Sequence, residues 1–265
     1  MIATPTINRA ADYLTESKRL LPTTLTSKEL AALPDSIKRM AIFSAQVHEV
    51  RTLAAVRGVV TDILSGETTE AEGRVMLERL SEEGLGTARC NLIVDTLTKT
   101  AAGYTRLCED NDESVVDAFP AWELYRIGER KQPRDWEERW TTACEQAGDE
   151  DAAAVYENSG RMVALKSSDV WSELGSSDNF DDALDVNYPP FYFNSGMFGI
   201  NNVDRQECAD LGLLDNVDDE VEGADIDEFG ANSQADFSDT DSGFMAMVVN
   251  ALGNVIFKNG VLTPL

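Results

Sequence analysis

The first part of the chain carries apolar residues with the period of an α-helix. From residue 7 to about residue 110 they recur at steps of three and four, which indicates amphipathic helices. Two capping boxes, Thr26-Ser27-Lys28-Glu29 and Thr69-Glu70-Ala71-Glu72, predict helix starts, because a hydroxyl and a Glu carboxylate satisfy amides that the first turn leaves free. Gly66 is predicted to end a helix. We therefore expect a helical domain over residues 1–110, most simply a bundle of four or five helices.

One long helix is predicted between Arg89 and Cys108. Apolar residues follow each other there at helical spacing. They are Leu92, Ile93, Leu97, Ala101, Tyr104 and Cys108. The spacing predicts that this face is buried.

The amino-acid composition and the predicted elements change over residues 119–214. A helix is predicted from Arg134 to Ala147 with Asp135 at its start, a strand at Met162–Leu165, and a short helix at Glu207–Leu211. Segments rich in Gly, Pro and Asn separate them and predict irregular loops. This part contains all four tryptophans, and we expect Trp136, Trp140 and Trp171 to build a small core there.

The last 51 residues divide into two segments of different character. Residues 215–242 are strongly acidic, so like-charge repulsion predicts a solvated linker. Residues 243–265 contain Asn259-Gly260 between apolar runs, which predicts a hairpin that another part of the chain must cover. The predicted fold class is α+β, mainly α: an N-terminal helical bundle, a loop-rich domain with short strands, and a C-terminal hairpin.

Charge limits the classes of partner. The chain has 22 Lys and Arg against 48 Asp and Glu, a formal net charge of -26 and a sequence pI near 4.2. Affinity for nucleic acid depends on cationic groups, so direct nucleic-acid binding is not expected. The start of the chain does not look like a signal peptide, and no run reaches the roughly 20 apolar residues that cross a bilayer. We expect a protein kept in the cytosol, without a membrane partner.

Few residues offer catalytic or metal chemistry. His48 is the single histidine, the four cysteines are dispersed, and glycine-rich phosphate loops are missing. We expect reduced thiols, no cofactor, no metal and no enzymatic activity. Asp225-x-Asp227-x-Phe229-Gly230 followed by Asp236 resembles a calcium loop imperfectly, because Phe229 supplies no oxygen ligand. A calcium-responsive acidic adaptor therefore stays open as an alternative.

Arginine and tryptophan concentrate around residues 122–140, and two interpretations apply. The arginines could form ion pairs with Glu123, Glu129, Asp135, Glu137 and Glu138 and stack on the tryptophans. They could instead dock a large partner, since Arg and Trp are enriched at interface hot spots. The predicted partner-binding residues are Arg126, Arg130, Arg134, Trp136, Arg139, Pro189, Pro190 and Asn194.

Short motifs give the chain a resemblance to a known family. Arg130-Lys131-Gln132-Pro133-Arg134, then Asp169-Val170-Trp171, then Tyr188-Pro189-Pro190 occur in the order found in minor head (head morphogenesis) proteins of Mu-like tailed phages and prophages. The likeness covers about Ala41–Leu214, and three further motifs extend it into the helical half. They are Phe43-Ser44-Ala45, Ile63-Leu64-Ser65-Gly66, and Asp95-Thr96 with Ala102-Gly103-Tyr104.

The chain departs from this family at one place. Trp136 and Asn194-Ser195-Gly196 stand where the commoner form has a His and a Cys-rich turn, so a metal-stapled turn is not expected. The resemblance implies a structural virion component that associates with the portal vertex or inner capsid during head assembly. It would be oligomeric within the virion and pass from the host cytoplasm to the virion head. An enzyme or toxin-like module on a head-protein scaffold is the alternative.

Overall fold

The chain forms two compact units in the computed structural model. One unit comprises residues 1–101 and 227–265, and the other comprises residues 102–226. The structure describes residues 10–11, 14, 19–31, 33, 41–42, 50–80, 87–126, 134–184, 186–192, 197–224, 246, 248–250, 252–258 and 261–265. The predicted class, α+β and mainly α, is confirmed.

The elements follow one another along the chain with helices in the majority. The helices are α1 (Ser27–Ala31), α2 (Val50–Ser65), α3 (Glu70–Leu80), α4 (Thr87–Asp110), α5 (Glu113–Ala118), α6 (Trp136–Ala147), α7 (Glu150–Ser159), α8 (Val170–Leu174) and α9 (Arg205–Leu211). The strands are β1 (Arg19–Leu20), β2 (Ala41–Ile42), β3 (Ala121–Arg126), β4 (Met162–Leu165), β5 (Met197–Val203), β6 (Val255–Lys258) and β7 (Val261–Pro264).

The predicted capping boxes form in the first unit. The amide of Thr26 donates to Oε2 of Glu29 at 2.7 Å, and the amide of Thr69 donates to Oε2 of Glu72 at 3.0 Å. Hydrogen bonds from these threonines hold the pKa of both glutamates below the ordinary value. Gly66 follows α2 with a φ of 79°, a conformation that glycine adopts at little cost. Both predicted starts and this predicted end are confirmed.

The buried face of α4 is the predicted one, with one exception. Ala101 is buried and Leu97 is half-buried, and the buried residues Cys90 and Val94 continue the same face at helical steps of three and four. Leu92 is 41% exposed because its position in the helical period is on the opposite side.

The C-terminal hairpin is part of the core of the first unit. Strands β6 and β7 are antiparallel, and the turn residues 259–260 lie outside the described residues. The other side of β7 meets the N-terminal segment: the amide of Leu262 donates to the carbonyl of Pro22 at 2.9 Å, and the amide of Thr24 donates to Leu262 O at 3.0 Å. The hairpin was predicted as a separate segment, so the structure corrects that boundary.

The core around this hairpin is aliphatic. It draws on both ends of the chain, because the N-terminal segment alone leaves an apolar face that the hairpin covers. Its buried members are Leu21, Leu25, Leu30, Leu33, Ala41, Val248, Val255 and Leu262.

The second unit contains a three-stranded antiparallel sheet in the order β4-β3-β5. The predicted strand at Met162–Leu165 is β4, and the predicted helices correspond to α6 and α9. Asp135 caps α6 as predicted, because its Oδ1 accepts the amide of Glu138 at 3.0 Å. The last nine residues of α4 belong to this unit, so the predicted domain end at residue 110 is nine residues too late.

All four tryptophans are buried in the core of this unit. Trp171 lies at the centre, with ring centroids 5.6 Å from both Trp122 and Trp140 in edge-to-face geometry. Its indole Nε1 donates to the carbonyl of Leu165 at 2.8 Å. The predicted core role of Trp136, Trp140 and Trp171 is therefore confirmed.

Part of the predicted acidic linker packs on the second unit. Arg205 donates through Nη1 to the carbonyls of Val217 and Asp219 at 2.8 Å, and Nδ2 of Asn111 donates to Ala224 O at 2.7 Å. Ala224 is buried in the aromatic core. Residues 215–224 are therefore attached to the unit through backbone carbonyls, whereas most of their acidic side chains are exposed, as the predicted solvated segment requires. The rest of it, residues 225–242, lies outside the described part of the chain.

Candidate functional site

Among the predicted docking residues that the structure describes, Arg126 is the exposed one. It ends β3, where the pairing with β5 becomes irregular between Tyr125 and Arg126, and it lies opposite Met197. Tyr125 beside it is also exposed. Within the described ranges, no carboxylate forms an ion pair with Arg126.

Arg134 and Arg139 meet at one carboxylate. Nε of Arg134 lies 2.7 Å from Oδ2 of Asp182, and Nη2 of Arg139 lies 2.9 Å from Oδ1. The side chains of the two arginines are only 22% and 18% exposed. Burial alone would raise the pKa of Asp182, but the hydrogen bonds and charges of the two arginines outweigh it and lower this pKa.

Aromatic rings cover the same two guanidinium groups. Arg139 lies 4.1 Å from the ring centroid of Tyr192 and 4.7 Å from that of Phe180, and Arg134 lies 5.4 Å from Tyr192. The hydroxyl of Tyr192 donates to the carbonyl of Leu174, and burial raises its pKa. We call Arg134, Arg139, Phe180, Asp182 and Tyr192 the arginine clamp. It fixes the start of α6 against the segment 180–192.

Three other predicted docking residues are inside the fold. Trp136 is buried with its ring 5.3 Å from Tyr192, and Pro189 and Pro190 are buried as well. A buried side chain cannot make the first contact with a partner. The structure therefore corrects the expectation that these three residues line an exposed surface.

The turn at Pro189 packs closely on α4. A Cβ added to Gly103 would lie 2.0 Å from the carbonyl oxygen of Pro189, and the ring of Tyr104 lies 6.0 Å from that of Tyr188. The peptide between Pro189 and Pro190 is cis. Only a residue without Cβ allows this approach, so Gly103 is required by packing.

Several predicted residues cannot be placed. Arg130 and Asn194 lie outside the described residues, as do His48, the Phe43-Ser44-Ala45 motif and the calcium-loop candidates Asp225–Asp236. Within the described ranges, no group of three or more His, Cys, Asp or Glu side chains could hold a metal ion.

The ion pairs differ from those that the sequence suggested. Arg134 and Arg139 bind Asp182, and Glu123 binds Arg161 through two hydrogen bonds of 2.7 and 2.8 Å. The rings over the arginines belong to Tyr192 and Phe180 instead of tryptophans. The sequence analysis missed Asp182 because an acidic chain offers many equivalent carboxylates. It also missed Tyr192, for which the aromatic run at residues 191–193 is the signal that the sequence offers.

The cysteines of this chain are thiols. All four cysteines are free, and burial raises the pKa of the Cys144 thiol to about 12 and of Cys208 to about 11. No helix in the described ranges is long and apolar enough to cross a membrane.

Comparisons of the chain with protein-family models, with curated protein sequences and with solved structures give no match.

Proposed function

We propose that this chain is a structural component of a tailed-phage virion, a minor head protein that associates with the portal vertex or inner capsid during head assembly. It acts by binding, and its partners are the portal or capsid proteins. The proposal rests on the motif resemblance and on the way the motif residues are used in the fold.

One observation carries the proposal: most of the placed motif residues meet in the second unit. Gly103 and Tyr104 pack against Tyr188 and Pro189, and Trp171 stacks on Phe191 at 6.3 Å. Arg134 joins this region through Tyr192. Motif residues as far apart in sequence as Gly103 and Pro189 thus pack together in one unit, as expected if they are the signature of a shared fold.

The charge of the second unit supports a protein partner over DNA. Most of its described arginines are paired internally: Arg106 with Asp110, Arg161 with Glu123 and Glu207, and Arg205 with Asp117. Many carboxylates remain on the surface. A surface of this kind repels phosphates and suits a head component that must not adhere to packaged DNA.

The exposed end of β3 is the docking surface that the geometry favours. Arg126 offers a planar guanidinium, and Tyr125 offers an aromatic face; both residue types are enriched at interface hot spots. Arg134 and Arg139 contribute indirectly, because the arginine clamp holds the region together. Arg130 stays a predicted docking residue.

The test is co-purification of this chain with portal and major capsid proteins of a tailed phage, all expressed together. We expect the wild-type chain to be recovered with heads or with the portal, and Arg126→Glu to reduce recovery at least tenfold. The matched control is Arg79→Glu, which reverses an exposed arginine on α3 in the first unit and leaves recovery unchanged.

Two outcomes have separate meanings. Recovery of Arg126→Glu at the wild-type level places the docking surface elsewhere. A wild-type chain that associates with neither portal nor capsid contradicts the proposed function itself. Circular dichroism of each variant checks that the fold is retained.

A further inference from the structure

Lys166 is a charged side chain enclosed in the second unit. It is 1% exposed and follows directly after β4. Its Nζ donates to the backbone carbonyl of Asp110 at 2.8 Å, and its amide donates to Pro120 O at 2.8 Å. A lysine is almost never fully buried without a carboxylate partner, so this position requires an explanation.

The surrounding groups join the end of α4 to the sheet. Asp110 is the last residue of α4, and its carboxylate accepts hydrogen bonds from Nε of Arg106 at 2.9 Å and Nδ2 of Asn202 on β5 at 3.0 Å. Nζ of Lys166 lies 5.7 Å from the ring centroid of Trp122 on β3. The ammonium group thus lies where one helix end meets three strands. We call this set of five residues the lysine corner.

Burial opposes the charge on Lys166. It is the largest influence and lowers the pKa of Lys166 to about 8. From α4, Asp110 acts to raise this pKa and Arg106 acts to lower it; from α9, Cys208 acts to raise it. The neighbours from β3 and β5, Trp122 and Asn202, carry no charge. The pKa of Cys208 is itself about 11, so Lys166 is the group here that titrates near pH 8.

We propose that protonation of Lys166 controls the opening of the lysine corner: the corner is held closed when the amine is neutral, and opens more often when the amine takes a proton from solvent. The charged amine gains hydration when the end of α4 separates from the sheet, whereas the neutral amine loses little by staying buried. This inference is independent of the proposed function.

The direction with pH follows from linkage. In the open form the amine has an ordinary pKa near 10.5, and in the closed form the pKa is about 8. The open form therefore binds the proton more tightly, so opening becomes rarer as pH rises from 8 to 10.5. These two values give about a tenfold decrease in opening between pH 7 and pH 9.

Hydrogen exchange on the intact chain tests this directly. The reporter amides are those of Asn111, Val115 and Val116, which bond to carbonyls at the end of α4 and the start of α5. After correction for intrinsic rates, we expect their protection to rise about tenfold from pH 7 to pH 9. We also expect them to exchange faster than the amides of β3, because opening is local.

Variants identify the group responsible. Lys166→Met removes the charge, and we expect it to abolish the pH dependence and keep protection at the high-pH level. Lys166→Arg keeps the charge at all these pH values, and we expect low, pH-independent protection. The control is Lys99→Met on α4, the helix that ends at the lysine corner. Nζ of Lys99 is paired with Asp95 at 2.8 Å, and we expect this variant to keep the pH dependence of wild type.

Three results would overturn the proposal. One is protection of the wild-type reporter amides that does not change between pH 7 and pH 9. Another is reporter amides that exchange at the same rate as those of β3. Exchange would then occur by global unfolding, and the charge of Lys166 would lower the stability of the whole unit without controlling a local opening. The third is retention of the full pH dependence in Lys166→Met. The wild-type measurement decides the first two even if a variant fails to fold.

Discussion

The two compact units have cores of different chemistry and different origin. The described core at the hairpin of the first unit is aliphatic and combines residues 21–41 with residues 248–262. The larger core cluster of the second unit is aromatic, with Trp122 and Trp140 each packed edge-to-face on Trp171, and it uses only one continuous stretch of chain. A smaller aliphatic cluster lies in the same unit. Closing the first core requires contacts across more than 200 residues, whereas the second assembles from segments within about 120 residues.

This difference explains why the sequence predicts one unit better than the other. Aromatic residues are few and large, so their concentration between residues 119 and 214 indicates a core there. Leucines and valines occur along the whole chain. Their pattern predicts that one face of an element is buried, but it does not identify the segment that packs against that face. The predictions below separate the two cores, from the largest expected effect to the smallest.

Truncation of the central aromatic cluster is expected to have the largest effect. Trp140→Ala removes a fully buried indole that packs against Trp171, and such truncations cost about 3–5 kcal/mol. Urea denaturation followed by tryptophan emission measures the loss. The control Phe119→Ala removes a ring that is 39% exposed and is expected to cost far less. A Trp140→Ala midpoint equal to that of wild type would show that the aromatic core does not stabilise the unit.

Truncation of the hairpin is expected to affect the first unit. Leu262→Ala empties a buried position at which β7 meets both β6 and residues 22–24, at a cost of about 2–5 kcal/mol. Far-ultraviolet circular dichroism during denaturation follows the helices of both units, so it includes the loss of those in the first unit. Leu265→Ala, three residues on and 81% exposed, is the control and leaves the curve unchanged. Equal curves for the two variants would contradict the role of the hairpin in the core.

Two glycine substitutions are expected to change the stability of the protein in opposite directions. Gly103→Ala places a methyl group against the carbonyl of Pro189, so overpacking costs about 1–3 kcal/mol in the second unit. Gly58→Ala lies within α2 with nothing within 4 Å of the added Cβ, so helix propensity stabilises the first unit by up to about 1 kcal/mol. Thermal denaturation of both variants compares them. Stabilisation by Gly103→Ala would show that α4 and the turn at Pro189 are not in close contact.

Loss of the clamp carboxylate is expected to have the smallest effect. Asp182→Asn weakens the bonds to Arg134 and Arg139, and because Asp182 is 36% exposed the cost is about 1 kcal/mol after screening. The folded-state pKa of Asp182 is lowered, so its contribution is present above the unfolded pKa near 4 and is lost as pH falls through the folded pKa.

The pH dependence of stability measures this contribution. The difference in unfolding free energy between wild type and Asp182→Asn should be full at pH 6 and shrink below pH 4. Asp181→Asn, at the exposed neighbouring position, is the control and should show no such difference. A difference that stays constant down to pH 2 would mean that the charge of Asp182 is not involved.

Local signals in the sequence predicted local structure well. The capping boxes at Thr26 and Thr69, the N-cap Asp135, the strand β4 and the hairpin all depend on neighbours within a few residues. Long-range partners were not predictable in the same way. Asp182 is one of 48 acidic residues, and the sequence does not distinguish it from Glu137 or Glu138 as the partner of Arg134.

The candidate site was predicted only in part. The sequence shows that arginine and tryptophan are concentrated in this region. It does not show which of the predicted docking residues are buried. Trp136, Pro189 and Pro190 are buried because segments distant in sequence fold onto the same core. The sequence does not single out Lys166, since a lysine that follows a strand gives no sign that it is buried.

The most direct test of the two-core account uses two probes on the same denaturation. All four tryptophans lie in the second unit, so their emission reports that unit alone, while circular dichroism reports both. We expect Leu262→Ala to shift the circular dichroism transition and leave the emission transition in place, and Trp140→Ala to shift the emission transition. If Leu262→Ala moves both transitions equally, the chain unfolds as one cooperative body and the account of two separately stabilised cores is contradicted.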